Sequence, residues 1–171
     1  MNDYIKKLIE QDFKVFPCNT DKRPITSNGF YDATNNPEKL ERLFYRDDLY
    51  IGFPTGNINK IVVIDIDVNK KIEGTNEIDV RTVDELLDEL DGILGIPFDR
   101  NTLQVETPSG GRHFYFTTEF TNLSSATRFF HKTLPVDIRS NGGYVIFADD
   151  KNYFFYDTDG NAINDIRKYC N

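Results

Sequence analysis

The run Ile61-Val62-Val63-Ile64-Asp65-Ile66-Asp67-Val68 places two acids among aliphatics. Side chains alternate faces along a β-strand, so Asp65 and Asp67 point one way while Ile64, Ile66 and Val68 point the other. Two carboxylates on adjacent same-face positions repel each other unless a cation or base lies between them. Hard oxygen ligands of this kind suit Mg²⁺ or Mn²⁺. Val136-Asp137-Ile138-Arg139 repeats the pattern, with Val136 and Ile138 on one face and Asp137 and Arg139 on the other. A pair of acids from one strand and a third from its neighbour is the ligand inventory of a two-metal nucleotidyl-transfer site, where cations bridge the reacting oxygens and neutralise charge at phosphorus. A plainer arrangement fits the same letters: a strand ending at Asp65 with both acids in water, and Asp137 in an ordinary ion pair.

The most distinctive stretch is Thr107-Pro108-Ser109-Gly110-Gly111-Arg112-His113. Pro108 and two glycines make a tight turn, and glycine lets backbone N–H groups approach a phosphate closely. Ser109 supplies a hydroxyl donor, and Arg112 and His113 add donors that carry or can acquire charge. An ordinary hairpin turn is the competing reading. If the strand has begun at Arg112, alternation sends Arg112 and His113 to opposite faces, and only one looks into a site. Asp21-Lys22-Arg23-Pro24 offers two cations beside a rigid turn, and Gly52-Phe53-Pro54-Thr55-Gly56 a hydroxyl beside close-approach backbone; each also reads as a plain surface turn. His131 is read as structural or exposed.

Helical spacing of Tyr4, Ile5, Leu8 and Ile9 predicts an opening helix. Phe13–Cys18 predicts a short strand, and Asn36 with Pro37 a second helix that buries Leu40, Leu43 and Phe44. The strongest strand is 60–68. Thr82-Val83-Asp84-Glu85 has capping-box form ahead of an apolar stripe at Val83, Leu86, Leu87 and Leu90. Two strand-turn-strand blocks follow, 103–116 and 136–148, separated by a Ser/Thr-rich segment with room for a short helix. A last strand, a turn at 157–161 and a closing helix complete the chain. Strands outnumber helices at mixed spacing, so the expected class is α+β rather than a doubly wound parallel sheet.

The 171 residues, 39% hydrophobic and 13% aromatic, fit one domain with a real core. No apolar run approaches the roughly 20 residues of a membrane span, and no secretory signal is visible at the N-terminus. Cys18 and Cys170 lie outside any C-x-x-C spacing, so the expectation is a reduced intracellular protein, placed in the cytoplasm, without structural zinc. Lys plus Arg 20 against Asp plus Glu 28 gives a net charge of -8. Residues 77–100 hold eight acids and two arginines, and so carry -6 of it. That excludes a uniformly basic DNA-binding surface and leaves room for a locally positive pocket formed by Lys22, Arg23, Arg112 and Arg139.

Taken in order, these blocks resemble the N-terminal domain of bifunctional primase-polymerases, of the archaeo-eukaryotic primase superfamily. The resemblance runs from about Val15 to Phe147. It is carried by Phe16-Pro17, Lys22-Arg23-Pro24, Gly29-Phe30, Asp32-Ala33-Thr34, Ile51-Gly52 with Thr55-Gly56, Val63-Ile64-Asp65-Ile66-Asp67, Thr107 to His113, Val136 to Arg139 and Gly142-Gly143-Tyr144-Val145. It implies an RRM-like mixed or antiparallel sheet packed with a second α/β unit, as one catalytic domain over 1–171 with a strand/helix extension at 149–171. Such a domain is expected within a longer replication protein.

The resemblance also implies roles. Asp65, Asp67 and Asp137 would be ligands of Mg²⁺ or Mn²⁺, and His113 a contact to the incoming nucleotide's phosphates. Ser109, Gly110, Gly111 and Arg112 would surround the triphosphate, with Arg139 and Lys22 as further contacts. The implied activity is a DNA primase/polymerase that makes or extends primers on single-stranded DNA from nucleoside triphosphates, for a plasmid, phage or other mobile element, often beside a helicase. No Walker A sequence is present, so these residues do not themselves power unwinding. Two rivals use the same residues: a non-catalytic nucleotide- or ssDNA-binding module, and a metal-dependent nuclease or phosphohydrolase.

Overall fold

Asn2 accepts a hydrogen bond from the Tyr4 N–H and starts helix α1 (Asp3–Glu10), which buries Ile5 and Leu8. This is a computed structural model; it describes residues 2–147 and, as backbone, 154–156. Strand β1 (Phe16–Cys18) follows, then a single 3-10 turn at Gly29–Asp32. Helix α2 (Pro37–Leu43) has Asn36 as N-cap and Pro37 in its first turn; it buries Leu40 fully and Leu43 and Phe44 partly. Next come β2 (Tyr50–Pro54) and β3 (Ile61–Ile66). The predicted capping box forms at the start of α3 (Val83–Leu94): the Thr82 hydroxyl accepts from the Glu85 N–H and Glu85 accepts from the Thr82 N–H. Gly95, at φ 72°, ends that helix in the left-handed conformation. The remaining strands are β4 (Leu103–Glu106), β5 (Arg112–Thr117), β6 (Val136–Arg139), β7 (Tyr144–Ile146) and β8 (Phe154–Tyr156).

The strands make two antiparallel sheets, one of order β1-β2-β7 and one of order β6-β3-β5-β4-β8. The class is therefore α+β, as expected. One face of the larger sheet, with Ile64, Ile66, Phe114, Val136 and Ile138, packs on the Val83, Leu86, Leu87 and Leu90 stripe of α3. The other face, with Ile61, Val63, Val105 and Tyr115, packs into a core shared with α1 and the smaller sheet. Covered on both faces, β3 reads as an almost unbroken aliphatic run.

Two sequence expectations need correction. Residues 136–148 do hold two strands, but β6 and β7 belong to different sheets, so the link through Gly142-Gly143 crosses between layers instead of closing a hairpin. The Ser/Thr-rich segment forms no helix. It runs along the outer side of β6, where Ala126 exchanges backbone hydrogen bonds with Ile138 and the Phe129 N–H donates to Val136. An edge strand otherwise presents unpaired backbone groups, and pairing here satisfies them better than a helix would. The predicted last strand is present as β8; the turn and closing helix expected after it lie outside the described residues.

Candidate active site

Backbone register fixes the arrangement. Asp65 in β3 pairs directly with His113 in β5 on one side and with Asp137 in β6 on the other, giving a row His113, Asp65, Asp137 across three strands on one face. All three are more than 90% buried, at 6%, 8% and 6% exposure, so the solvated arrangement does not hold for Asp65, while the ion pair expected as the plainer role of Asp137 is present, with Arg139. Asp67 sits one residue beyond β3, half-buried, and its N–H donates to the Pro135 carbonyl, which continues the β3/β6 ladder. Asp65, Asp67 and Asp137 each offer an oxygen within 4.8 Å of the others.

Basic groups sit among these acids. His113 Nε2 lies 3.2 Å from Asp65 Oδ1. Arg139 Nη2 reaches Asp137 Oδ2 at 2.8 Å and Asp65 Oδ2 at 3.3 Å. Lys70 Nζ is 3.1 Å from Asp67 Oδ1, and the backbone N–H of Arg128 donates to Asp137 Oδ1 at 2.9 Å. Burial by itself would raise the Asp65 carboxyl, yet the charges and hydrogen bonds of His113 and Arg139 outweigh it and hold the group at about 2. Asp67 moves oppositely: burial and the neighbouring Asp65 and Asp137 charges raise it, against the pull of Lys70. A carboxylate raised by burial and by neighbouring like charge, in an all-oxygen donor set, fits a hard divalent cation.

Asp65 and Asp67 open onto a cleft of about 380 Å³ lined also by Lys22, Ser109, His113, Arg139, Gly143 and Tyr144, with Asp137 behind them. Lys22, at φ 63°, is anchored through its carbonyl, which accepts from the Tyr144 hydroxyl at 3.0 Å. The glycine-rich turn is a closed backbone loop in which the Gly110 N–H donates to Thr107 O and the Thr107 N–H to Gly111 O, both at 2.9 Å. Gly110 needs its residue type for φ 85°. Gly111 needs it for space, because a Cβ there would lie 2.5 Å from the Ile66 carbonyl oxygen. These two glycines let β5 begin flush against the end of β3 and leave Ser109 at the cleft.

Arg112 is not brought to the cleft. It stands opposite Ile66 on the α3-facing side of the sheet, with Nη1 at 3.5 Å from Gln104 Oε1, as alternation from the buried His113 requires. Arg23 is exposed, and its backbone N–H donates to Asn19 Oδ1. Thr55 is buried with its hydroxyl donating to Ser140 O, so the Pro54-Thr55-Gly56 turn ties the two sheets together. His131 is exposed, with Nδ1 at 2.8 Å from the Thr133 hydroxyl. Lys70 and Arg128 had no place in the sequence reading. Lys70 follows Asp67 by three residues, a spacing that could have suggested the pair; the Arg128 contact is made by main chain and leaves no trace in residue type.

An acidic triad that could hold a divalent metal, with Asp65 and Asp137 buried and Asp67 half-buried, thus lies beside a polar cleft with hydroxyl and cationic lining in an α+β domain. The chain belongs to the bifunctional DNA primase/polymerase N-terminal family, whose model matches residues 5–162. No curated protein matches it. Membership points to a nucleotidyltransferase of the primase/polymerase type, with DNA and nucleotides as substrates. Among the described residues, no helix is long and apolar enough to cross a membrane.

Proposed function

We propose that this chain is the catalytic domain of a metal-dependent, template-directed primase-polymerase, with the primase-type fold of its family, that makes or extends primers on single-stranded DNA in the replication of a mobile element. The observation that carries the reading is the convergence of Asp65, Asp67 and Asp137 within 4.8 Å of one another, with Asp65 and Asp67 lining a polar cleft, in a chain of the primase/polymerase family. These three acids are the proposed ligands of two Mg²⁺ or Mn²⁺ ions, which when bound lower the barrier by neutralising charge on the attacking and leaving oxygens.

The chain's own residues do the rest by holding the reactants. Lys22, Ser109, His113 and Arg139 line one cleft and would orient the triphosphate, since each can donate to a phosphate oxygen. His113 also holds Asp65 through Nε2, so it would order the acid row and the nucleotide together. Gly110 and Gly111 would act through the turn they close, and Arg112 stays outside the phosphate-binding set. No protein nucleophile is needed, because the primer 3′-hydroxyl attacks the α-phosphate in line and pyrophosphate leaves. Unwinding is assigned to a fused or separate helicase.

The test is synthesis on a single-stranded template with nucleoside triphosphates and Mg²⁺ or Mn²⁺. Primer or extension products support the reading. Metal-dependent nucleotide binding without product on any template would replace it with a non-catalytic module, and release of nucleoside monophosphates from DNA with a nuclease.

A further inference from the structure

Arg128 has φ 48°, a left-handed backbone that is unfavourable for a residue bearing a β-carbon. That conformation goes with a specific contact, the donation of its N–H to Asp137 Oδ1 at 2.9 Å. Its guanidinium braces main chain on two sides, with Nη1 donating to Lys132 O at 3.0 Å and Nη2 to Lys71 O at 3.3 Å. Lys71 lies in the loop that leaves β3 through Asp67, whose other acid neighbour Asp65 is within the strand. On either side of Arg128 the chain is registered on β6, by Ala126 with Ile138 and by the Phe129 N–H with Val136 O. One residue on an irregular edge segment therefore ties the strand carrying Asp137 to the loop that begins at Asp67.

We propose that Arg128 is the positioning residue of the acidic triad: its left-handed N–H orients the Asp137 carboxylate, and its guanidinium fixes the Asp67 loop against the β6 edge. The inference rests on the triad being the metal site. Two devices are separable by substitution. Arg128→Lys keeps the charge and the backbone cost and loses the two-carbonyl brace. Arg128→Gly removes the brace while making the left-handed conformation easier, and Arg128→Ala removes the brace and keeps the backbone penalty.

The experiment is calorimetric titration of the full 171-residue chain with Mn²⁺, with no substrate present, for wild type and the three variants. Outer-shell partners of metal ligands are commonly worth about 10–100-fold in metal affinity. Arg128→Ala is expected to bind at least about 10-fold more weakly than wild type, with Arg128→Gly and Arg128→Lys between them. Should Arg128→Ala fail to fold, Arg128→Lys against wild type decides the brace and Arg128→Gly against Arg128→Lys the backbone contribution. Equal Mn²⁺ affinity in wild type and all folded variants overturns the role of Arg128 and leaves the metal site standing. Absence of Mn²⁺ binding by wild type overturns the metal site itself, and this proposal with it.

Discussion

Asp65 and Asp137 stand directly opposite each other in the antiparallel register of β3 and β6, and one nitrogen of Arg139, Nη2, lies 3.3 Å from the first and 2.8 Å from the second. Like charges directly opposite across a ladder destabilise a sheet. Here they are tolerated because Arg139 bridges them and His113 takes the far side of Asp65. In metal-free protein the guanidinium offsets charge that a bound cation would also offset.

Replacing Arg139 by Met should thus lower metal-free stability by about 1–2 kcal/mol, discounted for the partial exposure of its side chain. Mn²⁺ should raise the melting midpoint of the variant by more than it raises that of wild type. Equal shifts in thermal melts with and without Mn²⁺ would show that Arg139 is not the internal counter-charge of the site.

Gly110 and Gly111 are required for different reasons and should respond differently to Ala. At Gly111 a Cβ meets the Ile66 carbonyl oxygen at 2.5 Å, and separating β5 from β3 should cost about 2 kcal/mol. At Gly110 the nearest atom is Val68 Cγ2 at 3.7 Å, so only the left-handed backbone is penalised, by about 1 kcal/mol. Denaturant midpoints of G110A and G111A check the order.

Burial pushes the Cys18 thiol up to about 12 from its ordinary 9.0. It stays protonated at pH 8, and the thiolate is the reactive form. The Cys18 peptide should therefore resist alkylation in native protein at pH 8 and be labelled fully in denaturant. A folded-state value above the unfolded one contributes stability that is complete below about pH 9 and declines as pH rises toward 12. Cys18→Val should remove that part of the alkaline decline, as read from stability curves between pH 8 and pH 11.

Arg112 and His113 are neighbours on opposite faces, and activity should separate them. Arg112→Ala should leave nucleotide KM within about 3-fold of wild type, whereas His113→Ala, which loses both a cleft donor and the partner of Asp65, should lose well over 10-fold in kcat/KM. Steady-state extension kinetics over a range of nucleotide concentrations make the comparison.

Much of this was legible in residue order. Alternation along 61–68 put Asp65 and Asp67 on one face and along 136–139 put Asp137 and Arg139 on one face, and Thr82-Val83-Asp84-Glu85 with its apolar stripe announced α3. Those signals are local, set by period and capping. What stayed illegible depends on partners distant in the chain. That β6 and β7 join different sheets follows from the pairing of β7 with β2, some ninety residues earlier, which no nearby residue type encodes. The edge role of the 124–129 segment and the Arg128 N–H contact arise from main-chain groups that every residue but proline carries. Arg112 illustrates the mixed case: its chemistry suggested phosphate, while the register that turned it away needed the burial of His113 to be known.

The most direct test of the account is primer extension on single-stranded DNA in Mn²⁺ by wild type, Asp137→Asn and the double variant Asp65→Ala plus Asp67→Ala, each confirmed as folded by circular dichroism. Wild type is predicted to extend, and both variants to lose more than the roughly 10–100-fold that an outer-shell partner is worth. Extension by either folded variant at the wild-type rate would contradict the assignment of the triad as the catalytic metal site.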